Sequence, residues 1–292
     1  MKISGFTFVR YAVKFDYPVV ESITSILPIV DEFIVSVGNC DDGTLQLIES
    51  IKSPKIKIIH SVWDESLREG GRVLAVETDK ALAAIDPAAD WAFYLQADEA
   101  VHEKDLDKIV KAAEKYLDNK EVEGFLFKYV HFYGTYDYVG DSHRWYANEI
   151  RVIRNNGNIV SYQDAQGFRT KQNNKLKVKV IDANIYHYGW VRHPHKQLEK
   201  YDNFHSFWGG QSHYLAEPLS EQEKFDFFAH IDSVDIFKHT HPEVMQKRIA
   251  AKNWQIDFDI RKKNMPLKKL LLYRFEKWTG RRYFIYKNYK II

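Results

Sequence analysis

Up to Leu117 the chain switches repeatedly between short apolar runs and segments whose apolar residues recur at helical spacing. "ISGFTFVRYA", "DEFIVSVGN", "KIKIIHSVW" and "DWAFYLQAD" read as four strands. Between them lie "PVVESITSIL", with Val19, Ile23, Ile26 and Leu27 on one face, and "DDGTLQLIESI", a helix that Asp42 is placed to cap. "EGGRVLAVETDKALAAI" follows, with Leu74, Ala81 and Ile85 aligned, and "HEKDLDKIVKAAEKYL" is amphipathic over Leu106, Ile109, Val110, Ala113 and Leu117. Such alternation predicts an α/β fold, a mainly parallel sheet flanked by helices. In sheets of this kind ligands gather beyond the carboxyl ends of the strands.

The fourth strand ends oddly. "WAFYLQADEAV" runs apolar and aromatic residues into Gln96 and then sets Asp98 beside Glu99. Carboxylates resist burial unless something positive meets them. Either the strand emerges into solvent there, or the acids hold a cation at the rim of the sheet. Asp41 and Asp42 occupy the matching edge after the second strand, which favours the second choice.

The later sequence has a different texture. "GFLFKYVHFYGTYDYV" and "HRWYANEIRVIRN" predict longer strands, and "NNGN" at Asn155 to Asn158 predicts a turn into "IVSYQDAQGFRT". "KLKVKVIDANIYHYGWVR" predicts a further strand ending in His187. After Pro194 the pattern becomes helical and polar-aromatic, broken at Gly209-Gly210, and "THPEVMQKRIAAK" has the Thr240/Glu243 spacing of a capping box. No repeat or linker interrupts the chain. The expected division is an α/β domain over 1–192 and a helical, aromatic and basic extension over 193–292 packed on it.

Charge is unevenly spread. The whole chain carries +2, yet from Arg261 to Ile292 there are eleven Lys or Arg and a single acid, Glu276. Leu270, Leu271, Leu272, Tyr273, Phe275, Trp278, Tyr283, Phe284 and Tyr286 interleave with them. That mixture suits either a helix packed on the body or peripheral contact with an anionic membrane, and nucleic acid is not the expected partner. The one cysteine, Cys40, excludes an internal disulfide framework and fits a reducing compartment. "MKISGFTFVRYAV" reads as a first strand rather than a secretion signal, and no apolar run approaches the roughly 18 residues of a membrane span. The expected location is the cytoplasm, including the inner face of the cytoplasmic membrane.

In order and placement, "SGFTFVRYAV", "VGNCDDGT", "LQADEAV", "EIRVIRN", "YQDAQGF" and "IYHYGW" resemble the family 2 glycosyltransferases of bacteria, over about Ile3 to Arg192. The resemblance implies a GT-A-type, Rossmann-like mixed sheet. It also implies inverting, metal-dependent transfer of a sugar from a nucleotide-sugar donor to a glycan or lipid-linked acceptor, in the building of cell-surface polysaccharide or lipopolysaccharide. In this family an Asp-x-Asp ends the fourth strand, and its second acid binds Mn²⁺ or Mg²⁺ bridging the donor phosphates. Asp98 matches that acid, while Gln96 replaces the first. His187 matches a further metal ligand, and Asp164 the carboxylate that takes the acceptor's proton. The acids that commonly end the second strand are replaced by Val37-Gly38, leaving Asn39, Asp41 or Asp42 to meet the base. The usual Arg-Asn before the fourth strand is absent, so Arg68 or Arg72 would face the phosphates; Arg10, at the end of the first strand, joins the donor-binding candidates.

The chemistry asks for these residue types. A nucleoside diphosphate leaves poorly unless its growing charge is neutralised, and a hard divalent cation does this with oxygen ligands, imidazole being acceptable to Mn²⁺. The attacking hydroxyl needs a base, for which Asp164 stands beside Asp137, Asp141 and Glu149 as alternatives. Glu99 fits a role behind the ligands rather than among them. Trp145, Tyr146 and Trp190 offer faces for sugar stacking or for core packing. His193 and His195 with His187 make a poor zinc set, for want of thiolates. Two other functions compete: a sugar-phosphate nucleotidyltransferase, which wants a Gly-rich basic loop that "VRYAVKFDYP" lacks, and a catalytically silent sugar- or lipid-binding protein.

Overall fold

A strand covered on both faces must bury every side chain, and Trp91, Ala92, Phe93 and Tyr94 are all fully buried in the computed structural model. The structure describes residues 1–67, 69–205 and 223–292. Arg68 and the Gly209-Gly210 break lie outside the described residues.

The expected alternation opens the fold. In order come β1 (Ile3–Val9), α1 (Val19–Ile26), β2 (Glu32–Gly38), α2 (Thr44–Glu49), β3 (Ile56–Ser61), α3 (Arg72–Ala83) and β4 (Trp91–Tyr94). β5 (Glu99–Val101), α4 (Glu103–Lys115), β6 (Gly124–Gly140) and β7 (Asn148–Arg154) follow. Then come β8 (Ile159–Tyr162), β9 (Gly167–Thr170), β10 (Leu176–Val191), α5 (Pro194–His205), β11 (Val234–Ile236), α6 (Gln246–Ala250), α7 (Leu267–Thr279) and β12 (Tyr289–Ile291).

Among the described residues ten strands form one mixed sheet in the order β12-β10-β6-β7-β4-β1-β2-β3, with β11 on β6 and β5 on β10. β3, β2, β1 and β4 run parallel, β7 enters antiparallel between β4 and β6, and β6 and β10 are again parallel. Alternate residues of each strand feed two cores. Phe33, Val35, Trp91, Phe93 and Phe125 pack with Ile23 of α1, Ile48 of α2 and Ile109 of α4. Phe6, Ile34, Ala92 and Tyr94 pack on the other face with Ala81 of α3 and Phe168 of β9. Burial on both faces explains why these strands read as continuous apolar runs.

Several local expectations are corrected. β7 occupies only the second half of "HRWYANEIRVIRN", because Trp145 leaves strand geometry to pack on His131 and Tyr133, at ring separations of 5.1 and 5.8 Å. "IVSYQDAQGFRT" folds back as the β8–β9 hairpin, with Gln163 and Ala165 at φ 55 and 63 in its turn. β10 runs past His187 to Val191 with a register shift between His187 and Trp190. The Thr240/Glu243 capping box does not form. Thr240 Oγ1 lies 2.8 Å from His102 Nε2, and the Glu243 N–H donates to Glu103 Oε2 at 3.0 Å, so both tie their segment to the start of α4.

The extension from 193 carries α5 to α7 and also returns two short strands, β11 and β12, to the sheet. α7 buries only Tyr273 and leaves Leu267, Leu271, Phe275 and Trp278 exposed, the last at 84%. No helix among the described residues is long and apolar enough to cross a membrane.

Candidate active site

The two acids after β4 have separate tasks. Glu99 starts β5, pairs opposite His187 of β10 and is fully buried. Both its oxygens are taken by the guanidinium fork of Arg151, at 2.8 Å each, and it also accepts from the Tyr129 hydroxyl at 2.7 Å and the Gln96 N–H at 3.1 Å. It anchors the strand end to β6 and β7 from within. Asp98 faces the other way.

The Tyr188 N–H donates to the Asp98 carbonyl at 2.8 Å, which locks the turn against β10. Asp98 Oδ2 accepts from Lys200 Nζ of α5 at 3.1 Å, and Asp98 Oδ1 lies 3.8 Å from His187 Nε2. Burial alone would raise this carboxyl, but the Lys200 ammonium and the Arg192 guanidinium outweigh it and hold the group well below the usual carboxylate range. Lys200 also donates to the Gly189 carbonyl at 2.8 Å, and burial together with Arg192 brings its ammonium down to about 8. Gly189 is required by close approach. A Cβ there would stand 2.5 Å from His187 Nε2 and 2.9 Å from Asp98 Oδ2, filling the space that both groups face.

The hydrogen bonds of two histidines fix the state of that space. His131 Nε2 lies 2.8 Å from the Tyr146 carbonyl, which only accepts, so His131 carries its proton there. Burial keeps both rings below the ordinary histidine range, hence neutral. His131 Nδ1 is then an acceptor, and His187 Nδ1, 3.0 Å away, must donate to it. His187 Nε2 is left with a bare lone pair directed toward Asp98. An imidazole lone pair and a carboxylate sharing one space form a donor set that suits Mn²⁺ better than the all-oxygen preference of Mg²⁺, and they call for a cation near them. In the structure Lys200 supplies one. Among the described residues no group of three or more His, Cys, Asp or Glu could hold a metal, so an ion here would draw its other ligands from substrate and water. His193 and His195 are not part of the cluster; the His195 N–H donates to His193 Nδ1, and His195 faces Glu199.

The remaining candidates fall into three places. At the ends of β1 and β2, Arg10 Nε donates to the Asn39 carbonyl at 3.0 Å and lies 5.3 Å over the Trp63 ring, while Asn39 Oδ1 accepts the Trp63 N–H. Asp42 is committed to structure there: it accepts from the Lys14 N–H, the Thr44 N–H and the Thr44 hydroxyl and so joins the two loops, but it does not cap α2, whose N-cap is Gly43 in left-handed geometry with no side-chain cap. Asp41 and Arg72 are exposed, Arg72 at the start of α3.

On the β8–β9 turn, Gln96 Nε2 donates to the Ala165 carbonyl at 3.3 Å, which brings Asp164 beside the end of β4. Burial raises the half-buried Asp164 carboxyl. Near it, Glu149 of β7 is pushed up to about 8, by burial first and then by Glu99 and Asp164, and its Oε2 has no hydrogen-bond partner among the described residues. Asp137 and Asp141 are elsewhere. Asp137 accepts from Thr135, and Asp141 is held by Ser233, Tyr273 and Lys277.

Trp145 and Trp190 pack into the aromatic cluster beneath the extension, around Tyr133 and Phe225. Trp145 also lines a cavity of about 430 Å³ between β6 and the chain after α7, together with His131, Tyr146, Arg282 and Tyr289.

Four groups at the centre were not among the sequence candidates: His131, Arg151, Arg192 and Lys200. Arg192 is fully buried and lies 5.2 Å over the ring of Tyr17, on which Lys200 Nζ also sits at 5.0 Å. Only the "EIRVIRN" and "GWVR" contexts, which set Arg151 inside β7 and Arg192 just past the end of β10, gave any sign of two of them.

No protein-family model and no curated protein matches the chain. Among solved structures, a fragment of Staphylococcus aureus TarS covering its residues 1–349 is 14% identical at a TM-score of 0.38, over 76% of this chain and 67% of that one. Full TarS is 15% identical at 0.38, and this chain spans 41% of its length. The 4-diphosphocytidyl-2C-methyl-D-erythritol synthase of Anaerococcus prevotii is 13% identical at 0.32, over 53% of this chain and 71% of that one. Likenesses at such scores decide nothing about function, which rests on the chain's own residues.

Proposed function

We propose that the chain is a glycosyltransferase that moves a sugar, with inversion, from a nucleotide-sugar donor to a glycan or lipid-linked acceptor, in the manner of the family 2 enzymes it resembles. One observation carries the reading: a carboxylate, a bare imidazole nitrogen and an ammonium converge on one space at the carboxyl end of a parallel strand. That is where open α/β sheets bind ligands, and a departing diphosphate needs positive charge there. Asp98 and His187 would hold Mn²⁺ or Mg²⁺, which when bound supplies neutralisation of the leaving group.

The chain's own residues account for the rest. Gln96 ties the hairpin turn to the strand end, and Asp164 on that turn would serve as the base for the acceptor hydroxyl. Arg10, Asn39 and the Trp63 ring form the wall for the base, with Arg72 at its rim. The stripe of Leu267, Leu271, Phe275 and Trp278 on α7, flanked by Lys268, Lys269, Arg274 and Lys277, rests on an anionic membrane surface at the cytoplasmic side and brings the site to a lipid-linked acceptor.

Calorimetry with UDP-, GDP- and dTDP-sugars, with and without Mn²⁺, tests this. Binding of one donor, strengthened by Mn²⁺ in the wild type and indifferent to Mn²⁺ in Asp98→Ala, is the expected result. In Asp164→Asn donor binding remains while turnover falls by about 10²–10⁴-fold. Absence of binding to every nucleotide-sugar sinks the proposal.

A further inference from the structure

The fold satisfies its other deeply buried arginines. Arg151 has Glu99 and the carbonyls of Ile150 and Gln166. Arg154 donates to the carbonyls of Val122, Leu117, Tyr116 and Asn119. Arg192, with no exposed surface, is treated differently: Nε, Nη1 and Nη2 have no hydrogen-bond acceptor among the described residues. The carboxylates whose fields reach it are already engaged, Asp98 by Lys200 and Asp16 by Arg248, which also takes Glu21. Its guanidinium lies over the face of Tyr17, which it shares with Lys200. A guanidinium has five N–H donors, and burying it uncompensated is costly. Such a group is retained where something outside the chain completes it.

The missing partner must be an anion with several oxygens. A guanidinium fork matches two phosphate oxygens, and Lys200, beside the same ring, adds a mobile point charge. Asp98 alone cannot satisfy two cations. Building on the reading above, we propose that Arg192 and Lys200 are the diphosphate receptor of the site, with Lys200 resting on Asp98 until a diphosphate arrives and then turning to it. The pair binds diphosphate in the absence of any divalent ion, and Lys200 releases the Asp98 carboxylate only as it does so.

Inorganic pyrophosphate and the nucleoside diphosphates UDP, GDP and dTDP, titrated in EDTA into the full chain, give the test, with melting curves alongside. The wild type binds pyrophosphate and melts higher with it. Arg192→Met and Lys200→Met each weaken binding roughly 10- to 100-fold, and Arg192→Lys weakens it less than Arg192→Met. The ligand-free Arg192→Met protein melts at or above the wild-type temperature, because an unpaired buried charge has been removed; a merely structural arginine would lower it. Pyrophosphate binding that is absent in the wild type, or unchanged in Arg192→Met, overturns the inference. Arg192-dependent pyrophosphate binding without affinity for any nucleoside diphosphate leaves the anion site standing and removes the glycosyltransferase reading. Nucleotide binding indifferent to Arg192 does the reverse.

Discussion

Glu149→Gln isolates one buried carboxyl whose energetics can be worked through. Glu149 sits on β7 with 8% of its surface exposed, and its carboxyl is raised from 4.5 to about 8, by burial first and by the nearby Glu99 and Asp164 charges. A carboxyl raised in the folded state holds its proton longer than in the unfolded chain. Its stabilising contribution is therefore whole below about pH 4.5 and is lost as pH climbs through about 8. At about 1.4 kcal/mol per pKa unit, the loss between pH 5 and pH 9 is about 4 kcal/mol. The amide that the substitution introduces matches the neutral acid in shape and cannot ionise, and the unpartnered Oε2 means that no hydrogen bond is broken there. Urea denaturation of both proteins from pH 5 to pH 9 makes the comparison, since all other titrating groups are common to the two. Near pH 5 the proteins should agree within about 1 kcal/mol, and by pH 9 the variant should be ahead by several. Parallel profiles across that range would refute the reasoning, and with it the claim that β7 buries this carboxyl in neutral form.

Arg151→Met strips Glu99 of both its guanidinium bonds while leaving the carboxylate buried, and the expected cost is about 3–5 kcal/mol in chemical denaturation; a loss below about 1 kcal/mol would mean that the pair does not anchor the strand end. Phe275→Ala combined with Trp278→Ala removes two exposed rings from α7. Flotation with anionic vesicles should then weaken by about 10-fold or more at unchanged melting temperature, whereas equal binding by the double variant would place membrane contact elsewhere or nowhere. Raising the salt should weaken the wild type's vesicle binding too, because the flanking charges are exposed.

Sequence pattern was informative where one periodicity governs a segment. β1 to β4 and their helices are legible because both sheet faces are covered, so that apolar runs mark the strands and amphipathic stripes the helices between them. The division of labour between Asp98 and Glu99 was legible in part, as a role for Glu99 behind the ligands; the turn at Asp98, held by the Tyr188 N–H, depends on a distant strand that no local pattern reveals. Lys200 and Arg192 were not, since their meeting at Tyr17 depends on how α5 folds back over the end of β10. His131 reads as one more residue of a long aromatic strand until its two nitrogens are traced to Tyr146 and His187. Thr240 and Glu243 misled because capping residues also bond across to neighbouring helices, here α4. β11 and β12, three residues each, are too short to leave a period.

The central claim is that a diphosphate is received where Asp98, His187, Lys200 and Arg192 meet. A crystal structure of the chain with a bound nucleoside diphosphate and Mn²⁺ tests it most directly. The account predicts diphosphate oxygens within hydrogen-bond reach of Arg192 and Lys200, with the base toward Arg10 and Trp63. A nucleotide lodged elsewhere, with Lys200 still on the Asp98 carboxylate and Arg192 still alone, would contradict it.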